Sequence, residues 1–191
     1  MNKGRLEAFS DGVLAIIITI MVLGMEAPEN VTMKSLFPVI PIFVSYLLSY
    51  IYIGIYWINH HHIFQATQRV NSTILWANLN LLFWISLIPF TTSWVGENHL
   101  SPIPVAFYGG VLFMCALSFL ILEAQLMRYH GKDFILRKVN PREKKEKWSI
   151  SIYLIAIPSA FLSVWISIGC YIIIACIWMI PGKRLEQEIE E

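Results

Sequence analysis

Apolar residues are gathered into five long blocks, and every charged residue except Glu123 lies outside these blocks. The blocks cover residues 13–25, 36–62, 74–95, 103–127 and 148–180. A helix needs about 20 apolar residues to cross a hydrocarbon layer about 30 Å thick, and the three middle blocks reach that length. The pattern predicts an all-α membrane protein.

The first block is too short for one crossing and the last is too long. Residues 13–25 would span only about 20 Å, so the first helix is predicted to begin near Arg5 and to include Asp11 at its inner end. Residues 148–180 would rise about 50 Å as a single helix, and Pro158 offers a natural break. Dividing the last block gives six crossings, which we assign to one domain covering residues 1–191.

Composition agrees with this class. Apolar residues make up 57% of the chain and charged residues 14%, whereas soluble domains are about a quarter charged. The 14 basic and 13 acidic residues nearly balance, which excludes a nucleic-acid binder that depends on a dense basic surface. The three cysteines lie inside apolar blocks, so they resemble small buried side chains more than disulfide partners or metal ligands.

The positions of the basic residues predict the orientation. With six crossings, Lys34 lies alone on one side, and the other 13 basic residues share the opposite side. Lysine and arginine favour the cytoplasmic side in short loops, so both termini are predicted to be cytoplasmic. The outer side then carries Glu26, Glu29 and Glu97.

One face of the first helix carries a regular set of side chains, which we call the first-helix stripe: Ile16, Thr19, Ile20 and Leu23. At 100° per residue these positions fall within an arc of about 100°, and Gly12 shares it. Such a stripe packs against other helices, faces lipid or lines a water path. Periodicity alone leaves these alternatives open.

Polar residues gather at the predicted cytoplasmic end of the first three helices. Asp11 points about 140° away from Ile16, toward neighbouring helices, and therefore needs partners within the protein. The candidates at the same depth are Arg5, Asn59, His60, His61, His62, Asn78 and Asn80. Such a belt serves either as a hydrogen-bonded brace or as a proton relay or gate.

Neither a metal centre nor a catalytic site emerges from these residues. Three consecutive histidines on a helix point in three directions, so they do not converge on one ion. Ser10 and Asp11 are adjacent rather than on one helical face, and no nucleophile with a base and a stabilising group can be assembled around them.

Three motifs carry a resemblance to a known family. They are Arg-Leu-Glu-Ala-Phe-Ser-Asp-Gly at 5–12, Tyr-Trp-Ile-Asn-His-His at 56–61, and Pro-Phe-Thr-Thr at 89–92 with Gly-Glu at 96–97. Together they resemble the prokaryotic, single-repeat branch of the transmembrane protein 175 family of potassium channels.

The resemblance implies a homotetramer in which four first helices surround a K⁺-conducting pore. Family pores are narrowed by bulky apolar side chains, so Ile16 is implied as the tightest ring, with Thr19 beside it and Ile20 and Leu23 as further layers. These are the residues of the first-helix stripe. The stripe is therefore interpreted as pore lining, with K⁺ as the permeant ion and with no cofactor, metal or enzymatic activity.

The resemblance also implies residues that position and gate the pore helix: Arg5, Phe9, Ser10 and Asp11, with His60, His61 and Asn78 as partners. Glu26 and Glu29 would concentrate cations at the outer mouth. The implied location is the cell membrane, and the implied partners are further copies of the chain, lipids and monovalent cations.

Two other classes remain open at this point. A proton-coupled secondary transporter would use Asp11 and the histidines at 60–62 as proton carriers. A membrane metal or redox protein would use the same histidines. Neither class accounts for the first-helix stripe.

Overall fold

The structure, a computed structural model, describes residues 3–28, 30–131, 134 and 142–179, and all the regular secondary structure in these segments is helical. A short 3₁₀ helix at Met33–Leu36 precedes α2. The α-helices are α1 (Lys3–Leu23), α2 (Val39–Gln65), α3 (Ser72–Ser86), α4 (Ile88–Glu97), α5 (Pro102–His130), α6 (Arg142–Ser159) and α7 (Val164–Met179).

The expected limits of the first and last blocks are confirmed. Helix α1 begins at Lys3, so the inner polar residues lie within the helix. The last block divides after Ser159, and α7 begins at Val164. Pro158 lies in the last turn of α6, where its missing N–H cannot donate to the Leu154 carbonyl and so weakens the final turn of the helix.

The third block forms one membrane-length span, as predicted, but its helix has an interruption that the sequence pattern did not indicate. The helix is interrupted at Leu87 between α3 and α4. Pro89, within the first two residues of α4, cannot donate a backbone hydrogen bond to the carbonyl of Ile85. Together α3 and α4 still form one membrane-length span, Ser72–Glu97.

Four spans in the described part of the chain are long and apolar enough to cross a membrane: Lys3–Leu23, Val39–Gln65, Ser72–Glu97 and Pro102–His130. Helix α7 is apolar but shorter. Helix α5 packs against α3, α4, α6 and α7, while α1 packs mainly against α2, α3 and α4. Helix α1 therefore lies at one side of the subunit, away from the α6–α7 pair.

The buried side of α2 carries a row of polar residues, which we call the α2 polar edge: Ser45, Ser49, Tyr52, Tyr56 and His60. Each of these side chains bonds to a residue of another helix. The Tyr52 hydroxyl donates to the Tyr171 carbonyl on α7 at 2.6 Å, and the Tyr56 hydroxyl reaches the Leu112 carbonyl on α5 at 3.5 Å. The α2 polar edge thus joins α2 to the helices around it.

Glycine permits one of the closest helix approaches. A Cβ added at Gly109 on α5 would lie 1.9 Å from the Tyr171 hydroxyl oxygen, and that hydroxyl donates to the Val105 carbonyl at 3.2 Å. The missing side chain at Gly109 therefore makes room for a bond between α7 and α5. A Cβ added at the adjacent Gly110 would have no such neighbour within 4 Å.

Replacing Gly109 by alanine is expected to destabilise the protein by about 1–3 kcal/mol, because the buried Tyr171 ring has to move. The matched control is Gly110→Ala, which adds the same methyl group one residue away into open space. Thermal unfolding in detergent, followed by size-exclusion chromatography of the surviving protein, measures both variants. Equal melting temperatures for the two would contradict this account of the α5–α7 contact.

Candidate functional site

Helix α1 has one buried face and one exposed face. Leu6, Ser10, Leu14, Ile17 and Met21 are buried against the rest of the subunit. The first-helix stripe lies on the other side, with Ile16 58% exposed, Ile20 51% and Leu23 80%, and with Thr19 also exposed. The four side chains predicted to share a face do so, and that face points out of the subunit.

A large groove runs beside the first-helix stripe. Its volume is about 890 Å³, and Ile16, Ile20 and Leu23 form part of its α1 wall. The opposite wall comes from α3 and α4: Ser86, Pro89, Phe90, Ser93, Trp94 and Glu97. The lining is mostly apolar, with Ser86, Ser93 and Glu97 as its polar members, so this side of α1 offers a surface on which another helix can pack.

The hydroxyl of Thr19 is already engaged with its own helix. Its Oγ1 donates to the Ile16 carbonyl at 2.8 Å. A hydroxyl has one proton to donate and two lone pairs to accept with. Because the hydroxyl proton is used in this bond, the lone pairs of Thr19 Oγ1 remain available to accept a hydrogen bond or a cation on the exposed face of α1.

At the inner end of α1, a buried chain of hydrogen bonds joins three helices; we call it the inner brace (Ser10, Asn78 and His60). Asn78 Nδ2 donates to Ser10 Oγ at 2.9 Å, and His60 Nε2 lies 2.8 Å from Asn78 Oδ1. Because the amide oxygen can only accept, His60 must carry its proton on Nε2. The Ser10 hydroxyl donates a hydrogen bond to the Leu6 carbonyl at 2.9 Å. All three side chains are buried.

Asp11 lies outside the inner brace, which differs from the sequence prediction. Its carboxylate accepts a hydrogen bond from Trp57 Nε1 at 3.0 Å, and it is exposed on the subunit surface. Its hydrogen-bond partner is Trp57 and not one of the histidines or amides that the sequence suggested. Asn78, one of those amides, bonds instead to Ser10, the residue before Asp11. His61 is also exposed, and its ring stacks on Trp57 with centroids 6.3 Å apart.

Arg5 and Phe9 are not brought against α2 and α3 as expected. Both are exposed, Phe9 to 51%, and no ion pair or hydrogen bond engages Arg5 within the described segments. The reason is geometric, because both residues fall within about 20° of Ile16 around the helix, on the side of the first-helix stripe. Just beyond the C-terminal end of α1, Glu26 is exposed, while Glu29 lies outside the described residues.

A second buried polar cluster, near the C-terminal end of α1, was not anticipated. Ser49 Oγ lies 2.7 Å from Thr92 Oγ1 and 3.0 Å from the Tyr108 hydroxyl, and Met21 of α1 contacts Thr92 through sulfur at 4.0 Å. Thr92 Oγ1 donates to the Ile88 carbonyl at 2.7 Å. We call Ser49, Thr92 and Tyr108 the outer hydroxyl group. The sequence feature that could have predicted this group is the pair Ser45 and Ser49, which lie four residues apart, on one helical face, within an apolar block.

The hydrogen bond from Trp57 to Asp11 is a second contact that the sequence pattern did not reveal. Trp57 stands inside one of the recognised motifs, but the partners expected for Asp11 were charged, imidazole and amide groups. The indole N–H of a tryptophan can also donate a hydrogen bond to a carboxylate. Across the part of the chain that the structure describes, no group of three or more His, Cys, Asp or Glu side chains is placed to hold a metal ion.

Comparisons with known proteins agree with the arrangement of these helices. The model of the family described as "Endosomal/lysosomal potassium channel TMEM175" matches residues 5–89. A potassium channel of Chryseobacterium sp. (strain P1-3) is 50% identical over 191 residues, covering 100% of both chains. A potassium channel of Chamaesiphon minutus is 30% identical over 185 residues, covering 90% of this chain and 91% of the relative.

A solved structure is similar over nearly the whole chain. It is the crystal structure of a lysosomal potassium-selective channel TMEM175 homolog from Chamaesiphon minutus, with a TM-score of 0.77 and 28% sequence identity. The match covers 93% of this chain and 96% of that chain. The family is one of ion channels and not of enzymes, which confirms the sequence prediction. The chain thus belongs to the transmembrane protein 175 (TMEM175) family of potassium channels.

Proposed function

We propose that this protein is a potassium-selective channel of the cell membrane, assembled as a homotetramer with one α1 from each subunit around the pore. The whole chain, residues 1–191, serves as one channel unit with six crossings and both termini in the cytoplasm. One observation carries the proposal: the first-helix stripe is exposed on the subunit, opposite the buried face of α1.

Further copies of the chain are the partners that best suit the exposed side of α1. The groove of about 890 Å³ beside the stripe is wide enough to receive a helix side from another subunit. Arg5 and Asp11 are also exposed near the inner end of α1. Charged side chains at the edge of a membrane helix are costly unless they face water or a partner, and an interface between copies supplies both.

The constriction is assigned to Ile16. Four isoleucine side chains meeting on an axis form a narrow apolar ring, which excludes water and ions until the ring widens. Ile20 and Leu23 lie about 6 Å and 10 Å further along the helix, so they add apolar layers above the ring. A small rotation of α1 is enough to change the opening, because the side chains point across the axis.

Potassium preference is assigned to dehydration of the ion near Thr19. Isoleucine offers no oxygen to replace the hydration shell, so an apolar ring disfavours the more strongly hydrated Na⁺. Thr19 lies next to that ring and donates its proton to the helix. Its remaining lone pairs can therefore face a passing cation, as hydroxyl and carbonyl oxygens do in other filters.

The outer mouth is assigned to the acidic end of α1. Glu26 is exposed just beyond that helix, Glu29 follows it in the sequence, and Glu97 lines the groove at its outer end. Exposed carboxylates raise the local concentration of cations. Their effect weakens as ionic strength rises, because exposed charges are screened over about 8 Å at 0.15 M salt.

The inner brace and the outer hydroxyl group are assigned to holding the pore helix. Ser10 is bonded at the inner end, and Met21 contacts Thr92 at the outer end. Both anchors lie on the buried face of α1, so they set the direction in which the stripe points. A proton-coupled transporter is not favoured, because both relatives described above are named as channels.

Changing the ring residue tests the pore assignment. Ile16→Asn is expected to increase K⁺ leak and to reduce the preference for K⁺ over Na⁺, because an amide hydrates the constriction. The measurement is ion flux from liposomes under a K⁺ gradient, with a Na⁺ gradient in parallel.

The matched control for this change is Val22→Asn. Val22 is an exposed apolar residue of the same helix, about 120° from Ile16, and its variant should conduct like the unaltered protein. If an assembled Ile16→Asn tetramer keeps its flux ratio, Ile16 is not the constriction. If neither the unaltered protein nor the Ile16→Asn variant carries flux although its tetramer is intact, the channel proposal itself fails.

Removing the central amide tests the inner brace. Asn78→Ala leaves Ser10 Oγ and the His60 N–H without their common partner, at a cost of about 1–3 kcal/mol. Tetramer recovery and melting temperature should fall, while the K⁺-to-Na⁺ flux ratio of the surviving tetramer stays the same. Combining this change with Ser10→Ala should cost less than the sum of the two, since both break the same chain. Strict additivity would argue against a connected brace.

The Asp11–Trp57 contact is tested by two substitutions of different severity. Asp11→Ala should reduce tetramer recovery on size-exclusion chromatography more than it changes ion preference. Trp57→Phe keeps an aromatic ring but removes the Nε1–H donor, so it should reproduce part of that loss. Normal assembly with abolished conduction in Asp11→Ala would instead indicate that the carboxylate acts directly in conduction.

A further inference from the structure

The exposed face of α1 has a different helix at each of its two edges. Measured around α1 from Thr19, at the middle of that face, Asp11 lies about 80° to one side and Ile20 about 100° to the other. Asp11 is bonded to Trp57 of α2, whereas Ile20 lines the groove whose far wall belongs to α3 and α4. A subunit viewed from the proposed pore therefore shows α2 on one flank and the α3–α4 groove on the other.

A ring of four identical subunits brings these two flanks together. In a cyclic tetramer every interface is heterologous, which means that one patch of a subunit meets a different patch of the next. With four α1 helices around a common axis, the patches on either side of α1 are the ones that meet. The α2 flank of one subunit then lies against the α3–α4 groove of its neighbour. This step rests on the proposed homotetramer.

The α2 flank carries a row of residues that suits such a groove, and we call it the α2 ridge: Phe43, Leu47, Tyr50, Gly54 and Trp57. These positions fall within an arc of about 80° on α2, and the four large side chains are 45–50% exposed. A Cβ added at Gly54 would meet nothing within 4 Å, so a neighbouring helix can approach closely there. Ridges of one helix pack into the grooves between others, and aromatic side chains are enriched at the cores of interfaces.

One member of the α2 ridge has a polar atom that needs a partner from outside the subunit. Tyr50 lies 11 residues after Val39, the first residue of α2, which is about 16 Å along the helix and near the middle of a hydrocarbon layer about 30 Å thick. Within the described segments no hydrogen bond engages its hydroxyl. An unpaired hydroxyl at that depth is costly, because lipid tails offer neither a donor nor an acceptor.

The groove holds a hydroxyl in the same condition. Ser93 of α4 lines the groove and is half-buried, and in the part of the chain that the structure describes its Oγ takes part in no hydrogen bond. The other serine of that wall, Ser86, already donates to the Phe83 carbonyl at 2.7 Å. Ser93 is therefore the serine of the groove that is available to pair with the Tyr50 hydroxyl.

The two hydroxyls also lie at nearly the same depth in the membrane. Rotation about a pore axis along the membrane normal preserves the depth of every residue, so partners across an interface must share it. Ser49 Oγ and Thr92 Oγ1 are 2.7 Å apart within one subunit, and Tyr50 and Ser93 are the next residues. Because α2 and α4 run in opposite directions, Tyr50 and Ser93 differ in depth by only about 3 Å.

We infer that the α2 ridge of one subunit packs into the α3–α4 groove of the next, with the Tyr50 hydroxyl hydrogen-bonded to the partner subunit's Ser93. The occupant of the groove is thus a second copy of this chain, which enters with α2. Four such contacts close the ring. Each one joins the helix that organises one subunit to the groove beside the pore helix of the next.

Photochemical cross-linking tests the position of Tyr50. The residue is replaced by p-azidophenylalanine, which has a similar shape, and which on illumination forms a bond with an adjacent molecule in protein or in hydrocarbon. The matched control carries the same photoreactive residue at Val44, which is 49% exposed on α2 and lies about 120° from Tyr50 around the helix. Tetramers in phosphatidylcholine vesicles are illuminated, separated on a denaturing gel and digested with pepsin for mass spectrometry.

Position 50 is expected to give covalent oligomers in which the bond is to residues 86–97 of a second chain. Position 44 is expected to lose this ladder and to leave the chain monomeric on the gel, because it points away from the groove of the neighbour. Bonds from position 50 only to lipid, to its own chain or to α2 of a second chain, in an intact tetramer, would overturn the inference.

A double-mutant cycle tests the hydrogen bond itself. Tyr50→Phe and Ser93→Ala each remove one hydroxyl, so each should lower the dodecyl sulfate concentration at which half of the tetramer dissociates. The double variant should lose no more than the more affected single variant, since both changes remove the same bond. Tyr50→Phe combined with Ser86→Ala is the control and should be additive, because Ser86 is bonded within its own helix. Additive losses for Tyr50 and Ser93 would overturn the pairing.

Ion flux and oligomeric state separate this inference from the proposed function. A tetramer that conducts K⁺ but gives no link from position 50 to the groove overturns the inference alone. A linked tetramer without flux contradicts the channel function and supports the inference. A protein that stays monomeric in vesicles contradicts the homotetramer and overturns the inference with it.

Discussion

The rest of the subunit depends on the α2 polar edge. Inside a membrane, lipid solvates apolar side chains as well as a neighbouring helix does, so apolar burial gives helices little reason to associate. Hydrogen bonds and close packing must provide the specificity. Helix α2 does this through His60 to α3, Ser49 to α4, and Tyr52 to α7. These contacts fix the positions of the helices against which α1 packs.

The two faces of α1 differ because of that arrangement. Its buried face meets polar anchors near both ends, and its opposite face is exposed on the subunit. A pore helix needs this combination, because a side chain that narrows a pore must be held in direction while remaining free of its own subunit. The same helix therefore joins a rigid scaffold to the proposed conducting surface.

Much of the fold could be predicted from the sequence because membrane crossings depend on length and polarity. The extension of the first helix, the division at Pro158 and the shared face of Ile16, Thr19, Ile20 and Leu23 all followed from these two properties. The break at Leu87 did not, because an isolated proline in an apolar run is also tolerated in continuous membrane helices. Whether such a proline interrupts the helix depends on how the neighbouring helices pack.

The partners of the polar residues were harder to predict for a related reason. Helical periodicity gives the direction of a side chain, but it does not say which of two adjacent residues will be buried. Ser10 and Asp11 differ by about 100° around α1, and only the packing of α3 decides that the hydroxyl meets Asn78 while the carboxylate meets Trp57.

The α2 polar edge also has a consequence for biogenesis. During synthesis α2 leaves the ribosome before α3, α4, α5 and α7, which hold the partners of its histidine, hydroxyl and phenol groups. Polar groups lower the tendency of a segment to enter lipid unaided, so α2 enters the bilayer with these groups unmatched. Its stable placement must therefore wait for the later helices, which makes insertion of the subunit a cooperative event in place of a helix-by-helix one.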